Sequence, residues 1–491
     1  MPEVVSIFIM VAAAIMAALM AALGMASAVH VTSRQPHGYF HLIFYAMLVL
    51  VALSTLLAGR ELGAAAVVDA SVVSGRSPLM KLIQPIISLI MLAVAGERII
   101  SHWLSRGKTV QAPPFILIAF LLFWVGTVAS PALLGANPEF SHEIAYAPII
   151  GMAAALATGI DRDLALRAAR NALLIFMAAG LMMIAFKPGL VLDMGYSQGV
   201  LPGVPRFAGL GTHPVSMGLL AQLGLLCLMA RPYANRWGNR LAWLVGLSVL
   251  LMAQSKTAWI AFIVCSTCLL VFTRGPAMWK SLGDPRRPEA GIMTVMGFMA
   301  LVLAVSLVLI FGNIDARLHH FFESAQGAQL ATLTGRDRIW VIAYDEFQRS
   351  PIFGYGPNLW DKSYRLAIGL PNATHAHNQF MDTLSRSGLV GATALVMYVL
   401  VLLGMSLRYA RATAGLSLAL FMALFLRAIS EVPLLMFGYG TELIIHLLLL
   451  ATLAAAAHEI RVAERDKERL RKASRPVFAR PRPYSAGGSP A

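Results

Sequence analysis

Charge is scarce in this sequence. Only 13% of its 491 residues are Asp, Glu, Lys or Arg, while 58% are hydrophobic and the mean hydropathy is +0.71. A soluble domain carries about a quarter charged residues, so this balance excludes an ordinary soluble enzyme and defines an integral membrane protein. Cysteine is scarce as well. Cys227, Cys265 and Cys268 all fall inside apolar runs. Cys265 and Cys268 lie one helical turn apart, but a metal centre needs more ligands. They read as small packing residues, and no structural disulfide is implied. Acid is scarcer than base, with 24 Asp and Glu against 39 Lys and Arg, for a net charge of +15. No internal repeat of the transporter kind is present.

The excess of base does not describe a nucleic-acid binder, because it is not gathered on one segment. It clusters in alternate loops, as at Arg98, Arg106 and Lys108; Arg162, Arg167 and Arg170; Arg274, Lys280, Arg286 and Arg287; and in the tail from Glu459. That alternation is the positive-inside pattern. It predicts a cytoplasmic C-terminus and places the loops at 59–78, 135–142, 187–211, around 255, 312–388 and 429–438 on the opposite side.

Apolar runs of about 17–25 residues, long enough for a helix to cross ~30 Å of hydrocarbon, recur along the chain. Twelve or thirteen are expected, at 4–29, 39–58, 79–95, 115–134, 143–158, 164–186, 212–230, 239–254, 256–273, 291–311, 389–407, 413–428 and 439–457. The first begins without a basic n-region and reads as a retained helix rather than a cleaved signal. The expected fold is an all-α polytopic membrane protein. Its transmembrane bundle, 1–458, carries one large periplasmic loop, 312–388, that contains short helices. A basic tail, 459–491, is helix-compatible to 472 and then rich in Pro, Gly and Ser.

The polar stretch from Thr334 to Gly391 has no packing reason to exist among such runs. The spacing of Ile339, Trp340, Ala343, Tyr344 and Phe347 predicts a helix capped at Thr334 or Gly335 and stopped at Ser350-Pro351. Gly354-Tyr355-Gly356-Pro357 predicts a turn. A second helix is expected to begin near His375–His377 and end at Ser387-Gly388. Arg336 and Arg338, two residues apart, do not share a helix face, so one of the two points at any site while the other pairs with Asp337 or lipid phosphate. His375-Ala376-His377-Asn378 leaves three roles open. A histidine at a helix start favours the neutral imidazole that a general base needs. The alternatives are a structural histidine, or a metal site with His319-His320, which lacks a fitting carboxylate cluster. On the same predicted face Arg206 precedes a span, His213 enters it, and Lys256 joins two spans. A single cation at a span end snorkels by default. Several cations beside a candidate base suggest an anionic, lipid-anchored substrate.

At these residues the chain resembles the superfamily of O-antigen ligases and polymerases. The resemblance rests on RFAGLGTHPVSMG, QSKTAW, GRDRIWVIAYDEFQRSPIFGYG and HAHNQFMDTLSRSGLVG, in that order, and covers roughly 110–460. Two departures are visible. The family often has HPN where His213-Pro214-Val215 stands, and often arginine where Lys256 stands, so a point charge replaces a fork there. The resemblance implies a membrane glycosyltransferase of the inner membrane, closest in look to exopolysaccharide polymerases. It would be metal-independent and inverting, need no cofactor, and take its glycan from undecaprenyl diphosphate at the periplasmic face. His377 would act as the base, and Arg206, Lys256 and Arg336 or Arg338 would hold the diphosphate. His375, Asn378, Tyr355 and His213 would contact the glycan. A chain-length regulator and export proteins are the implied partners of a polymerase. The alternatives are a ligase acting on lipid A core and a flippase, for which Arg427 and Glu442 are the closest intramembrane charges.

Overall fold

A computed structural model describes residues 18–30, 38–58, 78–105, 111–195, 203–282, 336–371, 373–437 and 440–473, with a few isolated positions besides. The expected span at 291–311, the loop's first part with His319-His320, and the Pro/Gly/Ser-rich tail lie outside the described residues.

The chain is all-α, as the composition required. Its principal helices are α1 (Ala18–His30), α2 (Leu42–Ala58), α3 (Pro78–Leu104), α4 (Phe115–Leu134), α5 (Tyr146–Ala155), α6 (Gly159–Phe186), α7 (Pro214–Ala230), α8 (Arg236–Met252) and α9 (Lys256–Leu282). They continue with α10 (Arg336–Arg349), α11 (Lys362–Ala367), α12 (Gln379–Tyr409), α13 (Leu416–Ser430) and α14 (Leu443–Ala473). Helices α3, α4, α6, α9, α12 and α14 are long and apolar enough to cross a membrane, and α1, α2, α7 and α13 are shorter apolar helices. Helical backbone satisfies its own hydrogen bonds, which hydrocarbon demands. The described strands are two residues each: β1 (Leu192–Asp193) pairs antiparallel with β2 (Arg206–Phe207).

Helix α14 forms the centre. Every residue from Leu443 to Ala457 is buried, packed among α5, α6 and α13. Of its two polar core residues, Thr452 bonds back to the Leu448 carbonyl, while His446 meets the Tyr398 hydroxyl at 2.6 Å, and Tyr398 stacks on Phe123 with centroids 4.5 Å apart. Where α4 meets α12 small residues let the backbones approach closely. A Cβ on Gly126 would stand 2.4 Å from the Ala394 Cβ, and Ser387 Oγ donates to the Thr127 carbonyl at 2.7 Å. This is the small-residue packing expected between membrane helices.

Arg98 corrects the sequence reading. It was expected in a basic loop, yet α3 runs on to Leu104 and buries it. Arg98 pairs with Asp161 at 3.2 Å and donates to the Leu156 carbonyl. Asp161 in turn forms the capping box that starts α6 with Thr158. A charge that packs internally is no guide to topology. Arg162 is also paired, with Glu459 at 3.0 Å, on the stretch of α14 that continues past residue 458 without a break to Ala473. Arg427 and Glu442, the charges considered for transport, pair with each other at 2.7 Å.

Candidate active site

The loop helix α10 spans Arg336–Arg349, as its apolar spacing and Pro351 required. The second loop helix starts at Gln379, just after the histidines rather than at them, and breaks at Gly388 as expected. Gly388 adopts the non-helical φ +60°, and across this kink the next helix carries the run, together α12, on to Tyr409. The Gly-Tyr-Gly turn docks on that kink through backbone hydrogen bonds. Tyr355 N donates to the Ser385 carbonyl (2.9 Å), Gly356 N to Arg386 (3.0 Å) and Leu389 N to Pro351 (2.8 Å). On its other side Ala136 N and Asn137 N, just beyond α4, donate to the Gly354 and Tyr355 carbonyls. The turn is therefore a clip between α4 and α12. Tyr355 packs against Tyr364 of the previously unrecognised α11, with ring centroids 5.2 Å apart, so its ring belongs to a small loop core with Trp340, Leu359 and Trp360.

The His375–His377 segment is held from four directions. The Asp382 carboxylate accepts from Ala376 N (3.0 Å), and the Trp340 indole donates to the Ala376 carbonyl (2.9 Å). Asn378 caps α12 by accepting from Met381 N and reaches the Ile429 carbonyl with its amide. Asn378 thus holds the segment to α12 and to the end of α13 through both of its polar ends. Gln379 Oε1 accepts from Leu434 N (2.8 Å), tying the segment after α13 to the same place. Asp382 is itself paired with buried Arg386 at 2.8 Å. Removing one member of a buried pair strands the other, at a cost of about 3–5 kcal/mol. Asp382→Ala is therefore expected to lower thermal stability by that order, read as the unfolding midpoint of the purified protein.

These ties bring Glu431, a lone acid that no motif singles out, onto the two histidines. Its Oε2 lies 3.4 Å from His375 Nε2 and 3.6 Å from His377 Nδ1. Burial pushes the Glu431 carboxyl up, but the close approach of His377 and the fields of His375 and Arg336 outweigh it and hold the group below its ordinary value. Of the two arginines, Arg336 is the one whose charge is felt at Glu431; Arg338 is exposed. Desolvation, then the neighbouring His377, lowers the pKa of His375, so this ring is neutral at neutral pH. His377 has φ +49°, one of three described non-glycine residues with positive φ. Such backbone costs about 1–3 kcal/mol and collects at functional sites.

By distance, His375, His377 and Glu431 could hold a metal ion, each offering one ligand atom within 4.8 Å of the others. This supplies the carboxylate that the sequence reading had found wanting. The hydrogen bonding does not fit, however. His375 Nδ1 accepts the His377 backbone N–H at 3.1 Å, so the neutral ring carries its proton on Nε2, the atom facing Glu431. A metal-bound histidine instead donates from its other nitrogen.

Arg206 and His213 reach the same site from far earlier in the chain. Arg206 is buried on β2 and donates from Nε to the Ala253 carbonyl (3.2 Å). Gln254, another residue with positive φ (48°), donates to the Val204 carbonyl (2.8 Å). The RFAG and QSK motifs are thereby stitched together. His213 caps α7, its Nδ1 accepting from Val215 N. Desolvation and then Arg206 lower its pKa, with Glu431 and Asp193 pulling the other way and His377 adding to the lowering. Lys256 is the first residue of α9 and is exposed; no described interaction joins it to Glu431 or the histidines.

Beside this cluster, between α12 and α13, runs a groove of about 270 Å³ lined by Phe380, Leu395, Val399, Leu400, Phe425 and Leu434. Asn378 and Gln379 form its polar end, directly after His377. Exposed Leu400 and Phe425 place it on the outside of the bundle.

Fold and site together define a multi-pass membrane protein with a cationic, histidine-bearing centre at the end of an apolar groove. Residues 241–396 match the family model described as O-antigen ligase, and this domain supports the O-antigen ligase and polymerase superfamily for the chain and a glycan-transfer function of that type. The match begins in α8 and ends in α12, so it takes in Lys256, Arg336 and the histidines. No curated protein matches the chain.

Proposed function

We propose that the chain is a polysaccharide polymerase that works at the periplasmic face of the inner membrane. It transfers a glycan from undecaprenyl diphosphate to a sugar hydroxyl of a second lipid-linked repeat. The observation that carries this reading is one juxtaposition: the His375–His377–Glu431 cluster, within the electrostatic reach of Arg206 and Arg336, directly precedes the Asn378–Gln379 end of a groove suited to hydrocarbon. Diphosphate leaves readily once its charge is neutralised, so the leaving side needs cations. The attacking hydroxyl is a poor nucleophile and needs a base. His377 would take that proton while the glycosidic bond forms and undecaprenyl diphosphate departs against Arg206. The long outer loop and the HAHN form of the histidine motif, which look more like exopolysaccharide polymerases, favour polymerase over ligase.

The test uses the purified protein with the lipid-linked repeat, alone or with lipid A core. Polymerase activity gives a ladder from the repeat alone. Transfer seen only when core is present would replace this reading with the ligase, and movement of the donor between leaflets without any new glycosidic bond would overturn both. Arg206→Ala is expected to weaken donor binding by about 30- to 1,000-fold, the 2–4 kcal/mol typical of removing a buried charge from its partner. KM for the donor measures it, with Arg206→Lys retaining part of the affinity.

A further inference from the structure

We infer that Glu431 is the positioning residue of the base. It orients His377 by accepting the Nδ1 proton and stabilises the imidazolium that forms when His377 removes the proton of the acceptor hydroxyl. This rests on the reading of His377 as the base and adds to it a carboxylate from a different helix end, 54 positions further along the chain.

Three features of the site carry the inference. The first is the tautomer. His377 Nδ1 is buried and has no hydrogen-bond partner within normal reach, yet it lies 3.6 Å from Glu431 Oε2. A neutral His377 with its proton on Nδ1 satisfies that buried nitrogen by pointing it at a carboxylate. Nε2 is then left with the lone pair that a hydroxyl requires. The reverse tautomer would set two lone pairs against each other. In unliganded sites such contacts are commonly long and tighten once substrate is bound.

The second is the competitor. His375 also approaches Glu431 Oε2, at 3.4 Å. Its Nδ1 is already occupied by the His377 N–H, so its Nε2 proton faces the same oxygen. Glu431 therefore faces two N–H groups, at 3.4 and 3.6 Å, and has no reason to carry a proton of its own. Arg336 favours its ionised form from α10.

The third is rigidity. Glu431 ends α13 with its backbone N–H on the Arg427 carbonyl. The flanking contacts of Gln379 with Leu434 and of Asn378 with Ile429 fix that end against α12. A carboxylate that merely balanced charge would not need two such ties. The arrangement of an acid, a histidine and a hydroxyl follows the same logic by which a buried carboxylate fixes the tautomer of a catalytic histidine elsewhere.

The experiment compares Glu431→Gln, Glu431→Asp and His377→Ala with the unchanged protein, measuring kcat and donor KM on monodisperse solubilised protein. Glu431→Gln is expected to lose about 100- to 10,000-fold in kcat with donor KM within about threefold of the original. Glu431→Asp, which keeps the charge, should fall between the two. A Glu431→Gln protein with kcat within threefold of the original overturns the inference, as does one in which only KM rises. Should Glu431→Gln fail to fold, Glu431→Asp decides: undiminished kcat overturns the inference, and reduced kcat at unchanged KM supports it. The readings separate cleanly. An active His377→Ala sinks the base assignment itself, whereas an inactive His377→Ala beside a normal Glu431→Gln sinks only the role of Glu431.

Discussion

His377→Ala is expected to lower the rate of glycan transfer by about 100- to 10,000-fold, the usual contribution of a positioned general base. Folded protein should be recovered in normal amounts. The expectation follows from how little structure rests on the side chain. The turn that carries it is secured through its backbone and its neighbours. Ala376 is held by Asp382 and Trp340, and Asn378 caps α12. The imidazole makes no hydrogen bond within normal reach through Nδ1, and its left-handed backbone is unfavourable for any side chain. Alanine relieves none of those ties and removes only the ring. A single-turnover assay with lipid-linked repeat, at matched protein levels, measures the loss. Polymer of unchanged yield and length would contradict the assignment.

The second large effect is structural. Gly388→Ala would place a Cβ 2.5 Å from the Ile352 carbonyl carbon and oxygen and 2.7 Å from Gly354 N, all of them backbone atoms that cannot swing aside. Gly388 also sits at φ +60°, which costs an L side chain about 1–3 kcal/mol before any clash. The expected result is release of the Gly-Tyr-Gly clip, a loss of about 3 kcal/mol or more, and inactivity with the loop newly open to protease. Gly354→Ala should behave alike, its Cβ falling 2.3 Å from the Arg386 carbonyl carbon. The control lies on the same helix. Gly404 has nothing within 4 Å of its would-be Cβ, so Gly404→Ala is expected to be neutral or slightly stabilising. Protease protection of the loop, compared across the three variants, reads the difference.

Local physics made part of this site legible. Helix α10 could be placed because apolar spacing, a preceding Thr-Gly and a following proline act over a few residues. The clustering of Arg206, Arg336 and His377 could be anticipated because topology sends alternate loops to one face. The missing parts are long-range. Glu431 is a single acid in a short connection, and its meaning appears only when Gln379 and Asn378 fasten that connection to α12. Arg98 looked like a loop charge because a hydropathy window ends where charge begins, whereas the helix itself runs on to meet Asp161. Asp382 and Arg386, four apart in the HAHN motif, were readable as an ion pair, but their service to Ala376 was not. Tyr355 lay in a suggestive motif for a different reason. Its glycines permit the close approach of two backbones, and the ring packs in the loop core. Lys256 and Arg338 share the motifs with Arg336 and the histidines and are exposed, and no described interaction joins them to Glu431 or the histidines.

The account stands on where the donor sits. An electron cryomicroscopy structure of the protein in lipid nanodiscs, with a polyprenyl-diphosphate-linked sugar bound, tests this most directly. The account predicts diphosphate density within hydrogen-bond distance of Arg206, hydrocarbon density in the groove between α12 and α13, and the sugar beside His377. Diphosphate density at the other end of the bundle, around Arg98 and Asp161, with an empty groove, would contradict it.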